Sequence, residues 1–360
     1  MSPKVTVLMS VYNGEKYLRQ SINSILNQTF EDFEFLIIDD ASTDSSNDII
    51  LSYNDQRIKV IKNNNNIGQA VSLNRGLQEA NAEYVARMDQ DDISLSLRLE
   101  KQVIFMDEHL EVGVSGVFAM FIDSHDEKLE MKSYEKMMTE NEDLKTQLLF
   151  RPCFIHPSVI IRLSLLKDHH LFYEENAGHA QDYRLWYRMS SICDFGNIPD
   201  KLYKYRFHKS QLSKNKRNDQ FLSSNLTRIM VLEDFLNRRV SQKEQIKHAG
   251  ISMAQYGSNI NEVNEAENWL IFLMNHNKME RKYNANSLGN ILENIWMLLC
   301  MNSSHLGMKL LIKYFSSIFW NFRTNFFYRE IKLFFKCIIK YKVELLDYKI
   351  LSKDNFFEKN

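Results

Sequence analysis

The chain has 360 residues, more than one typical domain of ~100–200, so two units or one domain with a long appendage is expected. Hydrophobic residues at 44% and charged residues at 25% exclude a disordered or fibrous chain, and a net charge of −1 excludes a globally basic nucleic-acid binder. Cys153, Cys193, Cys300 and Cys337 form no CxxC pair, which argues against a disulfide framework or a thiolate zinc site and for a reducing compartment.

Strand and helix signals alternate over the first part of the chain. Residues 4–10 are an apolar, β-rich run, and Asn13-Gly14 then opens a helix with Leu18, Ile22, Ile25 and Leu26 on one face. Residues 33–38, apolar except for Glu34, read as a strand buried on both faces and end in Asp39-Asp40. Ser42-Thr43-Asp44 can cap a short helix near 45–53. A strand at Ile58-Val60-Ile61, a helix over 69–80, a strand at 84–86, a helix over 97–106 and a strand over 113–121 follow. Such alternation predicts an α/β fold with a largely parallel sheet flanked by helices.

Composition changes near residue 215. All four prolines and seven of the eleven glycines precede it, so a catalytic domain over 1–215 and a mainly helical region over 216–360 are expected. The polar stretch 208–219 reads as the linker. No run of ~18 apolar residues suggests a spanning helix.

Ligands of parallel sheets bind at the carboxyl ends of strands, and three polar clusters fall there. They are Ser10-Val11-Tyr12, Asp39-Asp40 and Asp89-Gln90-Asp91-Asp92. Three carboxylates in four residues repel one another unless shielded, so the last cluster is either a Mg²⁺ or Mn²⁺ site or a solvated acidic turn. A carboxylate of Asp39-Asp40 can accept from a base N–H or ribose hydroxyl, or can cap a helix. Neither GxGxxG nor GxxxxGK[ST] is present, which removes the main support for a Rossmann dinucleotide or P-loop reading. Carboxylates and a cation in place of a glycine-rich nest point to a nucleoside-diphosphate donor.

Five segments in order resemble glycosyltransferase family 2: Val7-Leu8-Met9-Ser10-Val11-Tyr12-Asn13, residues 21–29, residues 37–44, Asn66-Ile67-Gly68 with Leu73-Asn74-Arg75-Gly76, and residues 84–92 with 98–102. The resemblance spans residues 4 to about 213. It implies a GT-A fold, a UDP-linked or related sugar donor, a divalent metal and inversion at the anomeric centre. By resemblance, Ser10 and Tyr12 lie around the nucleobase, Asp40 with Asp39 beside it bonds the base, and Asp89 lies near the ribose. Asp91 then contacts the metal with Asp92 in support. Gln181-Asp182-Tyr183 is similar to the family's Glu-Asp-Tyr segment, which makes Asp182 the implied catalytic base; Gln181 departs from the usual Glu. Residues 153–158 resemble a loop near the acceptor, and 203–213 resemble the end of the catalytic domain, with Arg206 and His208 in reach of diphosphate or metal. Rival readings are a nucleotidyltransferase, which lacks its glycine-rich loop here, and a non-catalytic sugar-nucleotide binder.

The tail carries a charge of its own. Residues 306–345 hold eight Lys/Arg against two Glu, +6 in all, interleaved with aromatic and aliphatic residues. That pattern suits either a helix lying on an anionic membrane surface or a basic amphipathic helix packed on the protein. The expected whole is a cytoplasmic enzyme with a saccharide or lipid-linked acceptor in surface-polysaccharide biosynthesis, peripheral on the inner membrane face if the tail binds lipid.

Overall fold

The structure is a computed structural model that describes residues 2–131, 138–208, 211, 217–320 and 327–339. Two compact units emerge: Met1–Val240 with Lys282–Ser287, and Ser241–Arg281 with Leu288–Asn360. The division expected at 215 falls just before a helix, Arg217–Leu236, that belongs to the first unit. Lys209, Ser210 and residues 212–216 of the expected linker lie outside the described residues.

The first unit begins β1 (Val5–Val11), α1 (Glu15–Leu26), β2 (Phe33–Asp39), α2 (Ser46–Leu51), β3 (Ile58–Lys62), α3 (Gln69–Glu79) and β4 (Tyr84–Met88). It continues through β5 (Ile93–Ser94), α4 (Arg98–Glu108), β6 (Val112–Ile122), β7 (Lys128–Leu129), α5 (Asn141–Gln147), β8 (Ile160–Arg162), α6 (Leu163–Asp168), α7 (Gln181–Met189), β9 (Asp194–Arg206) and α8 (Arg217–Leu236). The strand order among the described residues is β3-β2-β1-β4-β8-β6-β9-β5, with β7 on β6. Parallel pairing holds over β3-β2-β1-β4, where helices supply the crossovers. Beyond β4 the sheet is mixed: β8 runs antiparallel to both β4 and β6, and β5 antiparallel to β9, pairings that need no crossover helix.

Every residue of β1 and β2 is buried, so these strands lie under helices on both faces. The facing polar residues Thr6 and Glu34 are matched within the sheet, the Thr6 hydroxyl donating to Glu34 Oε1 at 2.6 Å. Leu18, Ile22 and Ile25 put one stripe of α1 onto one sheet face. Burial of each contributes roughly 1.5–3 kcal/mol before the entropy of ordering is charged against it. On the opposite face, Leu73 and Leu77 of α3 pack with Leu8, Leu36 and Ile38. Contact there is so close that a Cβ on Gly76 would sit 2.2 Å from Leu8 Cδ1.

The second unit is helical: α9 (Gln242–Ser252), α10 (Ile260–Glu280), most of α11 (Ala285–Asn302), α12 (Met308–Phe315) and α13 (Phe327–Ile339). Ser241 and Glu244 close a capping box on α9, and the Asn259 side chain accepts from Glu262 N at the start of α10. Among the described residues no helix is long and apolar enough to cross a membrane. Of the basic tail, residues 321–326 and 340–360, including Arg323, Lys340, Lys342 and Glu344, lie outside the described residues.

Candidate active site

Strands β2, β1 and β4 lie side by side and parallel, with Val11 opposite Asp39 and Met9 opposite Met88. Their carboxyl ends therefore deliver the three polar clusters to one edge of the sheet.

Two of the loops are laced together. Asn13, at φ 50°, accepts from Thr43 N on Oδ1 (2.8 Å) and donates its own N–H to Ser42 Oγ (3.1 Å). Gly14 N–H reaches Ser46 Oγ at 2.8 Å, and Glu15 accepts from Ser45 N at 2.9 Å. Asn tolerates the left-handed region that this turn requires. Ser10 is buried within β1, while Tyr12 is 44% exposed. A third strand end is fastened to the first by Gln90. Its Oε1 accepts the Tyr12 N–H (2.9 Å), and its Nε2 donates to the Tyr12 carbonyl (3.2 Å). Gly14 leaves room for that clamp, since a Cβ there would meet Gln90 Oε1 at 2.6 Å.

The two aspartates after β2 differ. Asp40 is buried and spent on the loop before α3: Oδ1 accepts from Asn63 Nδ2 (2.7 Å) and Ile67 N (3.0 Å), Oδ2 from Gly68 N (2.9 Å). Asp39 is fully buried; its Oδ1 takes the Ser42 N–H at 3.0 Å, whereas its Oδ2 has no hydrogen-bond partner. Lys62 Nζ stands 3.8 Å from that oxygen, too far for a hydrogen bond.

In the acidic motif, Asp89, Asp91 and Asp92 each place a carboxylate oxygen within 4.8 Å of the others. Asp92 is buried, and both its oxygens are used, by the Tyr203 hydroxyl (2.9 Å) and Arg206 N (2.8 Å). Burial first, and then the like charges of Asp91 and Asp89, push its carboxyl well above the usual range. Asp92 thus ties the motif to the end of β9. Asp89 Oδ1 is paired with the buried Arg87 guanidinium at 2.5 Å, yet desolvation outweighs that partner and raises the carboxyl. Asp91 Oδ2 accepts from His208 Nε2 at 2.7 Å. Asp89 Oδ2 and Asp91 Oδ1 have no hydrogen-bond partner among the described residues. Two hard oxygen donors on adjacent carboxylates fit a Mg²⁺- or Mn²⁺-type cation, which keeps waters and phosphate oxygens in its remaining positions.

Asp182 is the second residue of α7 and partly exposed. Desolvation pushes its carboxyl up to about 6, with backbone hydrogen bonds opposing and the Asp89 charge adding to the rise. A hydrogen-bonded relay joins this helix start to the acidic motif: Gln181 Nε2 donates to Gln69 Oε1 (3.1 Å), and Gln69 Nε2 lies 3.5 Å from Asp89 Oδ1. An amide is what this chain of contacts uses at 181, because it donates to another amide's oxygen.

Arg206 and His208, both implied to reach diphosphate or metal, part company. Arg206 is buried with its guanidinium on the Asp91 and Asp123 carbonyls, Asp126 and Gln20, and it stacks on Tyr17 at 4.4 Å. It ties the backbone of the acidic motif to the β6–β7 turn and to α1, whereas His208 meets the Asp91 carboxylate itself. His156, in the loop resembling the acceptor side, bonds the Tyr173 hydroxyl at 2.8 Å, and burial keeps it well below its ordinary pKa and neutral. Sequence reasoning missed Gln90, Gln69, Arg87 and Tyr203 as organisers of the site. Arg87 and Gln90 stand inside the motif already singled out, but their partners do not follow from spacing.

A mixed sheet with carboxylates at the ends of its parallel strands is the GT-A type of glycosyltransferase fold. Residues 6–169 match the family model described as glycosyl transferase family 2. The O-antigen biosynthesis glycosyltransferase WbnJ of Escherichia coli is 32% identical over 222 residues, 59% of this chain and 82% of that one. The amylovoran biosynthesis glycosyltransferase AmsE of Erwinia amylovora is 30% identical over 221 residues, 59% of this chain and 79% of that one. Among solved structures, S. aureus TarS 1-349 in complex with UDP-GlcNAc superposes with TM-score 0.55 at 18% identity, covering 94% of this chain and 91% of that one. The mannosyltransferase PcManGT of Pyrobaculum calidifontis, in complex with GDP-Man and Mn²⁺, does so with TM-score 0.52 at 14% identity, covering 84% of this chain and 87% of that one. The chain belongs to glycosyltransferase family 2.

Proposed function

We propose that the protein is an inverting, metal-dependent glycosyltransferase that moves a sugar from a nucleoside-diphosphate donor, a UDP-sugar first, to a saccharide or lipid-linked saccharide in surface-polysaccharide biosynthesis. The observation that carries this is the pairing of Asp89 and Asp91, each with an unused oxygen, with an Asp182 whose carboxyl is pushed up to about 6. The O-antigen and amylovoran relatives support the polysaccharide class, and the UDP-GlcNAc and Mn²⁺ of the two solved structures support donor and metal.

Asp91 and Asp89 would hold the cation, which when bound supplies positive charge opposite the departing diphosphate. Asp182 accepts the proton of the acceptor hydroxyl. As that oxygen bonds to the anomeric carbon from one side, the bond to the phosphate oxygen breaks on the other, and its electron pair leaves with the nucleoside diphosphate. A base of pKa about 6 is ionised at neutral pH yet more basic than an ordinary Asp near ~3.9. Gln69 and Gln181 hold the start of the base helix against the motif, which fixes the distance between the two halves of the site. The laced loops of residues 13–15 and 42–46, with Tyr12 and Asp39, form the wall available to the nucleoside.

A thermal-shift screen of UDP- and GDP-linked sugars with Mn²⁺ tests this reading. A recognised donor should raise Tm by mass action in the parent protein, and Asp91→Ala should remove the metal-dependent part of that rise. No shift with any nucleotide, or the same shift with Asp91→Ala in EDTA, would count against it.

A further inference from the structure

Helices α12 and α13 of the second unit pack on one another and each keep one side inward. On α12 the inward residues are Leu310, Leu311 and Tyr314; on α13 they are Leu333 and Cys337. Their other sides are unusual for protein meeting water. Met308, Ile312 and Phe315, spaced by four and three residues along α12, are exposed, Ile312 by 68%. Ile331, Phe334 and Phe335 do the same on α13, Phe335 by 55%. Six large apolar side chains on two short helices are more than the single scattered exposures that need no explanation.

The charge beside them is mostly positive. Lys309 and Lys332 are exposed, and Lys313 and Lys336 are partly so. Among the side chains described on these two helices, Glu330 is the one acid. Lys313 is paired with Glu267 of α10, which leaves Lys309, Lys332 and Lys336 flanking the apolar residues. Burial first, and then the neighbouring Lys332, hold the Lys336 ammonium below its ordinary range. Self-association through this face would set lysine against lysine, so a second copy is the poorer occupant.

We propose that the exposed sides of α12 and α13 form a docking surface for an anionic lipid bilayer. Met308, Ile312, Phe315, Ile331, Phe334 and Phe335 enter the headgroup boundary, and Lys309 and Lys332 meet lipid phosphates. Apolar burial and charge act together in such binding, and neither alone holds a protein on a bilayer firmly. The surface concerns residues outside the candidate active site, so it stands or falls separately from sugar transfer.

Co-sedimentation of the full chain with phosphatidylglycerol-containing vesicles tests it, beside pure phosphatidylcholine vesicles, at low and at high salt. The parent should sediment with the anionic vesicles at low salt, about tenfold more than with neutral ones, and be largely released by high salt. Phe334→Ser with Phe335→Ser should lower partitioning about tenfold, and Lys309→Glu with Lys332→Glu should abolish the preference for anionic lipid. All four positions are exposed, so Tm should stay within a degree or two of the parent in each variant (about the spread of ordinary surface changes). Failure of the parent to sediment, equal sedimentation with neutral vesicles, or undiminished binding by either variant would overturn the proposal. Concentration-dependent dimerisation that the phenylalanine variant abolishes would overturn it in favour of a second copy.

Discussion

Asp182 carries the plainest consequence at the scale of one residue. Its carboxyl titrates near 6 in the folded chain and near ~3.9 when unfolded, so ionising it in place is unfavourable. The protonated form contributes stability that is fully present below about pH 4 and lost as pH rises through about 6. Above that the cost is constant, on the order of 2–3 kcal/mol. Asp182→Asn keeps the shape and removes the charge. It should therefore raise Tm at neutral pH by a few degrees while leaving Tm at about pH 4 almost unchanged, which thermal melts at the two pH values would read. The same substitution should lower turnover by ~10²–10⁴-fold with donor affinity little altered. In the parent, the proposed role of Asp182 as base makes kcat fall with decreasing pH below about 6, where its carboxyl takes up a proton. A variant that loses stability, or keeps turnover within a few-fold, would place the base elsewhere.

Glycines give the sharpest contrast at the scale of elements. Gly76 lies where α3 presses on β1, and a methyl there would overlap Leu8. Gly76→Ala should cost about 1–3 kcal/mol, seen as a lower denaturation midpoint at unchanged slope. Gly289, inside α11, has nothing within 4 Å of an added Cβ. Gly289→Ala should stabilise by roughly 0.5–1 kcal/mol through helix propensity alone. Gly14→Ala would push on Gln90 and loosen the clamp on Tyr12, so its effect should fall on nucleotide affinity more than on Tm, as titration calorimetry would show.

The sequence made the parallel half of the sheet readable because β1 and β2 are mostly apolar runs and strand and helix signals alternate as far as β4. β1, β2, α1 and α3 therefore stand close to where periodicity puts them. The mixed half was less legible. β5 and β8 are two and three residues long, too short to carry a period, and their pairing with β9 and with β4 and β6 is set by residues far apart in the chain. Carboxylates announced the candidate site, since unpaired charge after a buried strand is rare. The neutral side chains that organise it gave no such signal: Gln90 acts across 78 residues on Tyr12, and Gln69 across 112 on Gln181. Asp39 and Asp40, alike as letters, separate in the fold because the loop before α3 supplies three donors to Asp40 and none to Asp39 Oδ2.

Taken whole, the first unit brings two strand-end carboxylates with unused oxygens together with Asp182, the proposed base, at the start of α7. Release of nucleoside diphosphate from a panel of UDP- and GDP-linked sugars, with Mn²⁺ and a saccharide or lipid-linked acceptor present, tests that account most directly. It predicts turnover of at least one donor that stops in EDTA, returns when Mn²⁺ is restored, and is lost in Asp91→Ala. Turnover that continues undiminished in EDTA and in Asp91→Ala would contradict it.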